Sequence, residues 1–165
     1  MLVLVPSLAV MRRMGISPGH VGLTLRGLRR SLLEGGVFSA VGLLVAAALA
    51  VGMRSSVGLP GQHVGFDLGL LLAYLAHSFL QELLGRGFLQ TSFQRFLNDT
   101  RGLRSLVLAS VLFGMFHLYF GLLAVVLTTL GGLAFGALYL RTRNLAVVTL
   151  LHFTLGVGVF ALGLI

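Results

Sequence analysis

Cysteine is absent from the chain, which excludes disulfides and thiol chemistry and carries no information about compartment. Lysine is absent too: all 12 basic residues are arginines, set against four acids, Glu34, Asp67, Glu82 and Asp99. Charged residues make up only 10% of the 165 positions, where ordinary globular chains carry roughly 25%. With 57% hydrophobic residues and a mean hydropathy of +1.02, a soluble domain of this size could not hide its apolar surface. These shortages identify an integral membrane protein. The net charge of +8 does not point to nucleic acid, because no basic run is interleaved with exposed aromatics. The arginines fall between greasy segments, where they act as topology signals.

No internal repeat, linker or low-complexity tract divides the chain, so residues 1–165 are expected to form one all-α domain, a polytopic transmembrane helix bundle with about five full spans. Residues 1–10 are apolar but span only about 15 Å of helix, half of a hydrocarbon core of about 30 Å, and read as the remnant of an incomplete span. Residues 15–35 read as an interfacial amphipathic segment: Ser17-Pro18 starts a helix, Leu25, Leu28 and Leu32 share one face, and Arg26, Arg29 and Arg30 another. The bundle proper is 36–165, with spans near 36–53, 66–84 or beyond, 103–119, 121–140 and 145–164. Arginine crowds the segment before the first full span, the junction near 99 and the connection at 141 and 143. The positive-inside rule places these connections in the cytoplasm of a multi-pass protein of the cytoplasmic membrane, with the carboxyl terminus outside. Gly132 and Gly136 form a small-x-x-x-small pair that admits a neighbouring helix.

Chemistry concentrates in Gln81-Glu82-Leu83-Leu84-Gly85-Arg86-Gly87, an acid and a base at the end of an apolar helix. Four residues apart, Glu82 and Arg86 share a helical face and can neutralise each other. Paired intramembrane charges are costly and mark function more often than architecture, although an interfacial salt bridge is the plainer alternative. If the helices before and after Asn98-Asp99-Thr100 form a hairpin, Glu82 and His117 lie equally far from the turn, and the first helix must continue through about Phe93. Arg86 is then buried and requires Glu82 as its partner. His152 lies a few turns inside the last span. The three groups are therefore expected to converge in a cavity open toward the cytoplasm. A membrane histidine taken alone is more often a helix-packing group.

Gln81-Glu82-x-x-x-Arg86, Phe113-x-x-x-His117 and His152-x-x-x-Gly156 resemble the three motifs of the CPBP family, the CAAX-protease and bacteriocin-processing (Abi-type) intramembrane endopeptidases. The resemblance covers roughly residues 15–165. It implies peptide-bond hydrolysis within the membrane: the residue at 81 and His117 would activate a water, His152 would face the oxyanion, and Glu82 with Arg86 would form a supporting pair. The implied substrate is a hydrophobic or membrane-anchored peptide, with lipid around it.

Two positions depart from the family pattern. Gln81 stands where the family has its first Glu, and an amide does not accept a proton near neutral pH. Gly156 stands where the family has an oxyanion-binding Asn. Losing a general base costs on the order of 100- to 10,000-fold, and losing one oxyanion donor roughly 100- to 1,000-fold. His77, one turn before Gln81, is a candidate substitute base with packing as its plainer role. Glu82, His117 and His152 also make a two-His, one-carboxylate set of the kind that holds zinc, without a His-Glu-x-x-His signature and with Arg86 competing for the carboxylate. The alternative to an endopeptidase is a catalytically impaired relative that binds a peptide as an immunity factor, chaperone or scaffold.

Overall fold

The computed structural model describes residues 9, 10, 12, 13, 15, 17–57, 65 and 67–164. The expected incomplete span at 1–10 lies almost wholly outside them. Among the described residues there is no β-strand, and five rods dominate. These are α1 (Leu28–Val57), α2 (Leu68–Phe96), α3 (Leu103–Met115), α4 (Leu122–Thr142) and α5 (Leu145–Ala161). Helices α1, α2 and α4 are long and apolar enough to cross a membrane, while α3 and α5 are shorter apolar helices. The protein is a polytopic helical membrane bundle, as its composition requires.

Helix α1 starts at Leu28, so the stretch expected to lie in the headgroup plane is divided. Its first part is a single 3-10 turn, Pro18–Val21, and its last part forms the opening turns of α1. The turn is held by Leu145 donating its N–H to the Gly22 carbonyl at 2.8 Å and by the Asn144 amide donating to the Thr24 carbonyl at 3.0 Å. Gly22 adopts φ 81, a conformation that suits glycine, and a methyl group there would meet Tyr139 Cε2 at 2.8 Å. The segment can therefore lie tightly against the α4–α5 connection. Asn144 also caps α5, accepting from the Val147 N–H at 3.3 Å.

Small residues set how closely the helices approach. Gly35 and Gly42 on α1 receive Val147 and Leu155 of α5, with closest approaches of 2.6 and 2.7 Å to an added Cβ. Gly132 on α4 faces Ser110 of α3, and Gly136 faces Leu106, so the expected small-x-x-x-small pair does admit a neighbour. Where α1 and α4 end on the arginine-rich side, Glu34 accepts from Arg30 at 3.1 Å and from Arg141 at 2.6 Å.

The hairpin between α2 and α3 matches the depth argument: α2 runs on to Phe96, and Asp99 caps α3. Its carboxylate accepts from the N–H groups of Gly102 at 3.0 Å and Ser105 at 2.9 Å, and from the Ser105 hydroxyl at 3.2 Å. The Ser105 N–H bond first, then the Ser105 hydroxyl and Gly102 bonds, hold the Asp99 carboxyl below its ordinary range. A depressed folded-state pKa means that this stabilisation is present above the ordinary carboxyl pKa and is lost as pH falls through the depressed value. Asp99→Ala is expected to lower the denaturant midpoint in lipid micelles at neutral pH, with the gap to the parent closing in acid. An equal gap at both pH values would contradict this role.

Candidate active site

The site is built on one face of α2, and its first determinant is a change of pitch. After the α-helical turns of Leu68–Glu82, residues Leu83–Gln90 wind as a π-helix before α-geometry resumes at Thr91–Phe96. In a regular α-helix each four-residue step overshoots a turn by about 40°. The wider π turn counters that drift, and Glu82, Arg86 and Gln90 lie on one face. All three are buried, at 0%, 1% and 1% exposure. The Thr91 hydroxyl donates to the Arg86 carbonyl at 3.0 Å, satisfying a backbone acceptor inside the altered turn. Gly87 lets Val21 approach, with an added Cβ meeting its Cβ at 3.3 Å.

Helix α4 answers that face with its two glycines. Arg86 donates to the Gly132 carbonyl at 2.9 Å, and Gln90 to the Gly136 carbonyl at 3.2 Å. Without side chains at 132 and 136 these carbonyls are open to long polar groups arriving from α2. Arg86 also lies over the faces of Phe113 and Phe135, 4.6 and 5.3 Å from the ring centroids. Its remaining strong contact is with Glu82, Nη1 to Oε1 at 3.0 Å, confirming the four-residue pair expected from the sequence.

The same Oε1 atom receives His152 Nδ1 at 2.6 Å. Helix α5 supplies this ring, which stacks on Phe135 at 5.2 Å and meets Phe113 edge-on at 5.8 Å. A contact so short requires one proton between the two atoms, and a carboxylate facing Arg86 is the natural acceptor. Nδ1 thus carries the proton, and in the neutral ring Nε2 is left as an acceptor. Glu82 Oε2 has no hydrogen-bond partner among the described residues and retains accepting capacity.

His117 stands apart. The expected span to 119 stops as α-helix at Met115, and His117 precedes a 3-10 turn at Leu118–Phe120. Its backbone N–H donates to the Gly114 carbonyl at 2.9 Å, freeing the Phe113 carbonyl, which contacts the His117 ring at Nδ1 at 2.8 Å. A carbonyl only accepts, so here too Nδ1 holds the proton and Nε2 is free in the neutral ring. The Phe113 ring links the two histidines, 4.9 Å from His117 and 5.8 Å from His152.

The structure therefore joins Glu82, Arg86 and His152 directly and sets His117, half-buried, against the Phe113 ring. Gln81 is half-buried, and His77 lies on the exposed side of α2, near enough to His117 and His152 for electrostatic interaction. The joined groups are buried among side chains that include Phe113 and Phe135, and His152 keeps a small exposed fraction. Two surface pockets lie elsewhere, one of about 550 Å³ lined by Leu97, Leu103, Arg104, Val107 and Leu108, the other beside Glu34 and Arg141. No group of three or more His, Asp or Glu side chains among the described residues is arranged to hold a metal ion. Of the zinc set considered from sequence, Glu82 and His152 are in direct contact through Oε1, which Arg86 shares.

Sequence reasoning passed over Tyr74, Ser78 and Gln90. With Glu82 and Arg86 they form a polar stripe repeating every four residues along an otherwise apolar helix, which was the available signal. Comparison with known proteins adds that a family model described as Type II CAAX prenyl endopeptidase Rce1-like matches residues 63–157, more than half of the chain. No curated protein and no solved structure matches.

Breaking the buried pair from one side leaves an uncompensated charge, at a cost of about 3–5 kcal/mol. Glu82→Gln is expected to destabilise the bundle by that amount in reversible micellar unfolding, and the double variant Glu82→Gln/Arg86→Met to recover most of it. A double variant as unstable as the single one would contradict the pairing.

Proposed function

Because the chain belongs to the Type II CAAX prenyl endopeptidase Rce1-like family, we propose that it is an intramembrane endopeptidase that hydrolyses a peptide bond of a CAAX-like, membrane-anchored substrate, with His152 as the general base. The observation that carries this reading is the 2.6 Å contact between His152 Nδ1 and Glu82 Oε1 in a buried site. A carboxylate that fixes one ring nitrogen as donor presents the other as a base and stabilises the imidazolium that forms.

The steps follow from the two free Nε2 atoms. His117 Nε2 accepts a hydrogen bond from a water, and His152 Nε2 takes that water's other proton as its oxygen attacks the scissile carbonyl carbon. The carbonyl π electrons move to oxygen, giving a tetrahedral oxyanion. Its collapse breaks the C–N bond, and the imidazolium of His152 returns the proton to the leaving nitrogen. Glu82 stays ionised throughout, with Arg86 across from it. Scarcity of water in such a site strengthens each of these electrostatic interactions. This scheme gives His152 the proton-transfer part that the motif resemblance assigns to position 81, and so accommodates Gln81.

The test is cleavage of a farnesylated CAAX peptide by the purified protein in lipid vesicles. His152→Ala is expected to lower kcat by about 100- to 10,000-fold, while Gln81→Glu stays within a few-fold of the parent. A peptide that binds but is not cut by the parent, combined with cutting by Gln81→Glu, would replace this scheme with that of an impaired protease acting as a binding protein. Gln81 and Gly156 are the residues that favour that second reading.

A further inference from the structure

Gly156 lies four residues after His152, on the same face of α5. Its missing side chain does not leave a gap. The phenol of Tyr74, reaching across from α2, lies against the bare backbone: a methyl group at Gly156 would collide with the phenol oxygen and lie 2.7 Å from Cζ and 2.9 Å from Cε1. The Tyr74 ring meets His152 edge-on at 6.3 Å and is steadied by Phe153 at 6.0 Å and Phe160 at 5.9 Å. The space that a side chain at 156 would fill is thus occupied by a hydroxyl supplied from another helix.

We propose that the Tyr74 hydroxyl is the hydrogen-bond donor to the carbonyl oxygen of the substrate and to the oxyanion that forms from it, replacing the donor that position 156 lacks. This rests on His152 acting beside it as base. A phenol both donates and accepts, so it can serve an oxyanion where a glycine cannot. Ser78, one turn along α2, is the hydroxyl beside the phenol, and it donates its own proton to the Tyr74 carbonyl at 2.8 Å. Toward the phenol it is therefore only a neutral acceptor. An oxyanion is a much stronger one and accepts the phenol's hydrogen bond in its place. The rigid ring, held by two aromatic neighbours, arrives pre-oriented, which is the condition under which such a donor accelerates a reaction.

Tyr74→Phe keeps the ring against Gly156 and removes only the O–H. Two measurements on the full chain in lipid vesicles test the proposal: cleavage of the farnesylated CAAX peptide, and binding of its phosphinate analogue, whose tetrahedral anionic phosphorus stands in for the oxyanion. Tyr74→Phe is expected to lower kcat by about 100- to 1,000-fold with KM within a few-fold, and to weaken phosphinate binding by a similar factor while leaving binding of the uncleaved peptide unchanged. If the parent cleaves nothing, the base assignment to His152 fails, and the phosphinate comparison still decides the role of Tyr74. Equal phosphinate affinity in parent and variant, or no phosphinate binding by either, would overturn the proposal.

Discussion

One carboxylate oxygen, Glu82 Oε1, holds this bundle's polar interior together. It accepts from Arg86 at 3.0 Å and from His152 at 2.6 Å, in the buried interior of the bundle. An ionised carboxylate without partners there would be prohibitively costly, and so would the arginine. Each needs the other, and both need α4, whose Gly132 carbonyl accepts a further hydrogen bond from Arg86 at 2.9 Å. The histidine is the member of this group whose second nitrogen is uncommitted. The interaction that makes the buried charges tolerable is thus also the one that orients the imidazole.

The scaffold around that oxygen is arranged to keep three helices in reach of it. A π-helical stretch beginning directly after Glu82 keeps the four-residue stripe of α2 from rotating away, and Gly132 and Gly136 let α3 and two long polar side chains share the surface of α4. Phe113 and Phe135 then sandwich the arginine and flank the imidazole. On the arginine-rich side the turn at Pro18–Val21 is tied to the α5 cap by backbone and Asn144 hydrogen bonds and packs Val21 against Gly87. Function and packing are served by the same side chains, so the site has little freedom to lose any one of them.

Hydropathy alone announced a helical membrane bundle, since five apolar runs and hardly any charge permit no other class. The extension of α2 through about Phe93, observed to run on to Phe96, followed from placing the turn at Asp99 and asking where Glu82 and His117 then lie. The Glu82–Arg86 pair followed from spacing. What spacing could not convey was the partner choice of Glu82, because similar depth does not say which helices face each other. Nor did it show that His117 leaves its helix, a change that hinges on one backbone carbonyl passing to a ring nitrogen. Tyr74 was hidden for a different reason: its place is set by Gly156, and a glycine carries no signal of what comes to lie against it. The packing of Phe113 and Phe135 against Arg86 and His152 depends on side chains from separate helices and has no local signature.

The most direct test of the account is the protonation pattern of the His152 ring, read by nitrogen NMR on protein in lipid nanodiscs, with the signal assigned by its loss in His152→Gln. The account predicts a proton on Nδ1, strongly deshielded by its short bond to Glu82, and a bare Nε2. A ring protonated on Nε2 alone, with Nδ1 unprotonated, would contradict it.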